Sequence, residues 1–160
     1  LNPLFFPLWP RLATALALAA CLFGVPAAQA QAISNSGALS FGAFVAGVGG
    51  SVVMTPNGGR SRTGGVMLFP QGSATAAQFN VTGLPLSSYR ITLPANGTVV
   101  LSDGNNHSMA VNGFVSDPGT TGTLSLGGTQ SLRVGATLAV GAAQPPGSYT
   151  GSFAVTVNNQ

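Results

Sequence analysis

Beyond residue 38 the chain alternates apolar and polar positions with period two. Leu132, Val134, Ala136, Leu138 and Val140 take every second place, with Arg133, Gly135, Thr137 and Ala139 between them. Tyr149, Phe153, Val155 and Val157 alternate in the same way with Thr150, Ser152, Ala154, Thr156 and Asn158. The rhythm recurs at Leu39 and Phe41, Phe79 and Val81, Tyr89, Ile91 and Leu93, Val99 and Leu101, Met109 and Val111, and Leu124 and Leu126. Successive side chains of a strand point to opposite faces, so this pattern predicts strands with one apolar face and one bearing Thr, Ser and Asn. No stretch after residue 30 carries a 3.6-residue stripe, and Gly or Pro interrupts nearly every window long enough for a helix.

Turn chemistry separates the runs: Asn57-Gly58, Asn96-Gly97, Asp103-Gly104, Asp117-Pro118-Gly119, Gly127-Gly128 and Pro145-Pro146-Gly147. Asn and Asp tolerate the left-handed conformation, Gly adopts it freely, and Pro presets the first turn position. Strands at this spacing predict an all-β chain, an antiparallel Ig-like β-sandwich of about nine strands. They are expected near 38–46, 50–56, 64–69, 76–82, 87–94, 97–102, 107–114, 122–126 with 129–140, and 147–158. The predicted core is Phe41, Phe79, Val81, Ile91, Leu93, Val111, Leu132, Val134, Leu138, Tyr149, Phe153 and Val155. A buried phenol needs a partner, so the Tyr149 hydroxyl is expected on a backbone carbonyl at a sheet corner. Residues 56–65, with two Gly-Gly pairs and two Arg, read as a mobile loop.

The amino-terminal thirty residues read differently. Arg11 precedes an apolar run of fourteen residues, 12–25, and Ala28-Gln29-Ala30 supplies small residues at a cleavage position. This is the layout of a cleavable signal peptide over 1–30, cut between Ala30 and Gln31. Fourteen helical residues span about 21 Å, short of the roughly 30 Å hydrocarbon core, which disfavours a membrane anchor. Leu18-Ala19-Ala20-Cys21 offers an alternative, cleavage and lipidation at Cys21, although the run stays apolar through Val25. The remainder, 31–160, is sized for a single domain, periplasmic, at the cell surface or extracellular.

Composition narrows the chemistry. Only 4% of the 160 residues are charged, five Arg and two Asp, while 45% are hydrophobic, which argues against disorder. Cys21 is the one cysteine, so 31–160 has neither a disulfide framework nor a thiol nucleophile. With no basic stripe interleaved with aromatics, nucleic acid is a poor candidate partner. The sole histidine, His107, follows Asp103 by four residues, with Ser102 and Ser108 nearby. A nucleophilic triad requires a base placed on a serine and oriented by an acid, and a short polar turn does not supply that geometry. Asp103 and Asp117 are the only side-chain carboxylates, and both open turns, so paired-carboxylate hydrolysis and an acidic calcium loop are unsupported. No catalytic residue, cofactor or metal is expected. Arg60 and Arg62 are the candidate anion contacts, since a guanidinium grips carboxylate or phosphate with a bidentate fork.

Three stretches together carry a family likeness: Leu39-Ser40-Phe41-Gly42, Gly58-Gly59-Arg60 with Thr63-Gly64-Gly65-Val66, and the closing runs from Leu132 to Leu138 and Gly147 to Val157. Over essentially all of 31–160 the chain resembles a bacterial exported family known as domain of unknown function 4402. More distantly, the Phe-Gly opening and the Gly-x-Tyr closing strand resemble spore-coat-U and archaic chaperone–usher pilin domains. That likeness implies an immunoglobulin-like sandwich, with other surface or pilus subunits or a periplasmic chaperone as partners. It implies no catalytic residues. Residues 31–37, with Ile33 their one large apolar side chain, read as a lead-in too short to donate a strand to a neighbour. The expectation is therefore a self-complete domain, or a tip or accessory subunit, whose final run 149–158 is an interior strand. Function is expected to be structural or adhesive at the surface and non-enzymatic. The alternative is a soluble periplasmic or secreted module that binds, for example, an acidic glycan.

Overall fold

The computed structural model describes residues 31–70 and 72–160. The expected signal peptide, its cleavage residue Ala30 and the alternative lipidation site Cys21 lie outside the described residues. Among those described, every regular element is a strand and every ladder is antiparallel. In chain order the first seven are β1 (Ala32–Gly37), β2 (Ser40–Phe41), β3 (Phe44–Val45), β4 (Gly50–Met54), β5 (Arg60–Gly64), β6 (Met67–Leu68) and β7 (Ala74–Thr75). The rest are β8 (Ala77–Thr82), β9 (Ser88–Thr92), β10 (Val99–Ser102), β11 (Ser108–Asp117), β12 (Thr121–Thr123), β13 (Thr129–Val140) and β14 (Thr156–Asn159).

The seven-stranded sheet is built around the longest strand, β13. One edge of β13 pairs with β11, which carries β10 beyond it. Its other edge is shared. Thr129–Val134 pairs with β8, and Ala136–Val140 pairs with β4. Strand β1 adds to β8, and β5 adds to β4. A three-stranded sheet, β12-β9-β14, and two short ladders, β2-β7 and β3-β6, make up the remainder.

Apolar side chains from these sheets meet in two clusters. One joins Phe79 and Val81 of β8 and Leu132 and Val134 of β13 to Tyr89 and Ile91 of β9 and to Leu124. The other gathers Val52, Met54, Val99, Met109, Val111 and Leu138 with Phe41 and Val66. No polar or charged residue is buried among them, so burial of these apolar side chains carries no desolvation cost of unpaired polar groups. Eight of the twelve predicted core residues are buried; Leu93, Tyr149, Phe153 and Val155 are half-buried.

Several expectations need correction. Residues 31–37 are no mere lead-in: 32–37 pair with β8 as the edge of the large sheet, with Ile33 packed on the core. The expected loop 56–65 is half of a hairpin. Thr55 and Gly59 close a tight turn, and Arg60–Gly64 runs back along β4. Its polar residues hid it, because an edge strand needs apolar side chains at few positions. The unit 122–126 with 129–140 is split at Gly127-Gly128, so that β12 joins β9 while β13 centres the other sheet. The predicted strand 38–46 reduces to two dipeptide ladders.

The closing run is not an interior strand. Thr150 exchanges both backbone hydrogen bonds with Ser102 of β10, at 2.9 Å each, in the seven-stranded sheet. Six residues later Thr156–Asn159 pairs with β9, as the terminal strand of the other sheet. A segment that crosses from one sheet to another is flanked on both sides in neither.

Candidate functional site

The turn between β10 and β11 holds the histidine and its acid. Asp103 Oδ1 accepts the amides of Asn105 at 2.8 Å and His107 at 3.2 Å, and Oδ2 lies 2.7 Å from His107 Nδ1. The Ser102 hydroxyl accepts the Gly104 amide at 3.1 Å, and the Asp103 amide donates to the His107 carbonyl. Among the described residues no hydrogen bond joins His107 to Ser102 or Ser108. The carboxylate closes the turn, as Asp does when its side chain satisfies backbone amides two and more residues on.

The hydrogen bond from His107, with help from the two amides, holds the Asp103 carboxyl down to about 2, against an ordinary value near 3.8. The folded-state value is the lower one. Its contribution to stability is therefore fully present above about pH 4 and is lost as pH falls through about 2. Asp103→Asn is expected to flatten this acid limb. Urea midpoints measured at about pH 5 and about pH 2 should differ less in the variant than in the parent chain.

Strand β5 carries both candidate anion-binding arginines on one face. They lie opposite Met54 and Val52 in the register, and these two residues are fully buried. Cross-strand neighbours share a face, so β5 ends the inward face of the sheet with charge, a common guard on an edge strand. Arg60 reaches over the edge and donates from Nη2 to the Ala43 carbonyl at 2.7 Å and from Nη1 to the Phe69 carbonyl at 3.0 Å. Desolvation lowers its pKa from the ordinary value. Arg60 thus ties residue 43 to residue 69, and the exposed Arg62 is the cation of this pair that faces solvent.

Tyr149 behaves as expected. Its hydroxyl donates to the Pro145 carbonyl at 2.8 Å and accepts from Gln144 Nε2 at 3.0 Å. That anchor holds 144–151 as one wall of a cavity of about 920 Å³. The opposite wall is 38–46, and the floor is Val99 and Leu101 of β10, Met109 and Val111 of β11, and Leu138 of β13. No Asp, Arg or His lines it. Its rim is apolar and only half covered, with Leu39, Phe44, Leu101, Tyr149 and Phe153 packed on the core yet partly open. Phe153 contacts Phe114 at 5.1 Å between ring centres and Phe79 edge-on at 6.3 Å.

The sequence marks Leu39, Leu101, Tyr149 and Phe153 as apolar and alternating, but not Phe44, and nothing in it shows that the two segments stand apart. Arg60 and Arg62 lie on β5 and the Asp103–His107 pair on the β10–β11 turn, while the slot between the closing and opening segments borders both, at Gly42 beside the Arg60 guanidinium and at Gly147 beside Asp103.

No curated protein and no solved structure matches the chain. One family model does, over residues 32–159, which takes in every strand from β1 to β14. By that match the chain belongs to the family described as Domain of unknown function (DUF4402).

Proposed function

We propose that the chain is a non-enzymatic, exported structural or adhesive component of a bacterial surface or extracellular assembly, built as an Ig-like β-sandwich. The sandwich reading is supported by the shared core of β8, β13 and β9, which packs the large sheet on the three-stranded one. The observation that carries the functional reading is the slot. Phe44, Tyr149 and Phe153 stay partly open beside a channel lined by no charged residue, and such surface is unfavourable in water, which supports completion by another molecule. Of the side chains that could bind a small charged substrate, Asp103 closes a turn and Arg60 tethers two carbonyls, while Arg62 faces solvent.

The test is location and assembly. Shearing cells and imaging the released material with a labelled antibody should find the protein in high-mass surface structures. Recovery solely as a soluble periplasmic monomer would sink the proposal.

A further inference from the structure

We propose that the end of the domain from which residue 31 emerges is a lipid-contacting surface. Leu84, Leu86 and Leu126 enter the interfacial layer of the bilayer that receives the apolar run 12–25. This contact goes beyond the assembly reading and does not rest on it.

Two turns build the surface. In 83–87 the Ser87 amide donates to the Leu84 carbonyl at 3.2 Å, and in 125–129 the Gly128 amide donates to the Ser125 carbonyl at 2.9 Å. Two further bonds lock the turns together, from the Gly83 amide to the Gly128 carbonyl at 2.9 Å and from the Leu86 amide to the Ser125 carbonyl at 3.3 Å. Leu84 is 48% exposed, Leu86 62% and Leu126 81%. Alternation with the buried Leu124 would turn Leu126 inward, but the chain reverses at Gly127-Gly128 and leaves it outside. Neither turn contains a charged residue, so contact with an apolar phase strips no ion of its water.

Leu86 adopts φ 59°, a left-handed angle that suits Gly or Asn and crowds a leucine. Its side chain faces water, so core packing does not account for a leucine there. A strained and exposed apolar residue points to a contact surface.

Three observations select lipid over a protein partner. The first is placement. Gln31 Nε2 donates to the Ser87 hydroxyl at 3.3 Å, and a Cβ on Gly83 would lie 2.8 Å from Gln31 Cγ. Five residues, 26–30, separate Gln31 from the apolar run, and fully extended they reach about 20 Å. A bilayer that holds 12–25 therefore holds the leucine end beside it. The other end of β13, at Val140, is about 35 Å farther away at 3.3 Å per residue.

The second observation is backbone. The amides of Gly83, Leu86, Ser87, Ser125 and Gly128 donate to carbonyls of these same turns, and those of Gly127 and Thr129 donate to the Ser125 hydroxyl. Pro85 has no amide hydrogen. Lipid offers nothing to an unpaired backbone group, so turns that satisfy their own are the kind that can enter it. The third observation is size. Three side chains fall far short of the roughly 20–30 residues a side of a stable protein interface.

The experiment uses the full chain in phosphatidylcholine vesicles, with Cys21→Ser removing its one cysteine. Leu126→Cys carries a polarity-sensitive dye. Val48→Cys carries the same dye as the control, since Val48 is 82% exposed and its neighbour Gly49 packs on Val140 and Ala142 at the far end of β13. Phosphatidylcholine brominated on its acyl chains should quench the dye at 126 and leave the dye at 48 unchanged. Leu84→Ser with Leu86→Asn should lower the lipid-contacting population about tenfold or more. Leu86→Asn alone should weaken the quenching yet raise the urea midpoint, because Asn accommodates φ 59°. Equal quenching at both sites, none at 126, or quenching that survives the paired substitution would overturn the proposal. So would a lowered midpoint for Leu86→Asn, which would place Leu86 in the service of the fold. Self-association without lipid, lost on the same substitutions, would assign the surface to a second copy and overturn it as well.

Discussion

Tyr89→Ala is expected to cost about 3–5 kcal/mol, the range for deleting a large aromatic from a core. Tyr89 has 0% exposure and is the largest fully buried side chain. Its ring packs so closely on Gly122 of β12 that a methyl group there would overlap the phenol. Its hydroxyl donates to Gln130 Oε1 at 2.8 Å, a bond that joins β9 to β13 and thus the three-stranded sheet to the large one. Burial pushes the phenol pKa above its ordinary value, so the donor form is the one present near neutrality. Truncation opens a cavity and also leaves Gln130 without its donor. Tyr89→Phe separates the two effects, keeping the ring and losing about 1 kcal/mol for the hydrogen bond. Urea unfolding checks both, as shifts of the midpoint at unchanged slope. A Tyr89→Ala loss no larger than that of Tyr89→Phe would show that the ring is not what binds the sheets together.

Gly135→Ala is expected to destabilise by about 1–3 kcal/mol, from a single added methyl. Gly135 stands where the edge of β13 changes partner, after the Val134–Ala77 pair and before the Ala136–Met54 pair. There β4 turns away, and its backbone passes directly over the glycine. A Cβ on Gly135 would overlap the Met54 carbonyl oxygen and lie 2.7 Å from Thr55 C and 2.8 Å from Pro56 N. All three are main-chain atoms, so no side-chain rotation relieves the clash. Gly119 has open space about its Cβ position and no positive φ, so Gly119→Ala is the control, expected within about 0.5 kcal/mol. Equal urea midpoints for the two variants would refute this account of Gly135.

The strands that could be read from the chain are those whose alternation runs unbroken in one sheet. β8 is the clearest, with Ala77, Phe79 and Val81 buried and the residues between them exposed. β11 shows where that reading breaks. Met109 and Val111 extrapolate inward to Gly113 and Val115, but a bulge after Asn112, with Gly113 at φ 57°, shifts the phase by one residue. Phe114 then turns to the core, and Val115 is left 49% exposed. One unpaired residue exchanges the faces of everything beyond it, and only the partner strand reveals that residue.

The amino-acid sequence by itself determined the all-β class, the position of most turns, the eight core residues that are buried, and the Tyr149 anchor. Each of these rests on local geometry, a period of two or a residue that tolerates a special backbone angle. Tertiary structure decided what local pattern leaves open. It made a strand of polar 60–64, because β4 offered an edge to pair with, and it set Arg60 on two carbonyls brought close by β3 and β6. It also divided the closing run between two sheets and left the slot beside it. Alternation states which side chains seek cover, whereas hydrogen-bonded neighbours from distant parts of the chain determine whether they receive it.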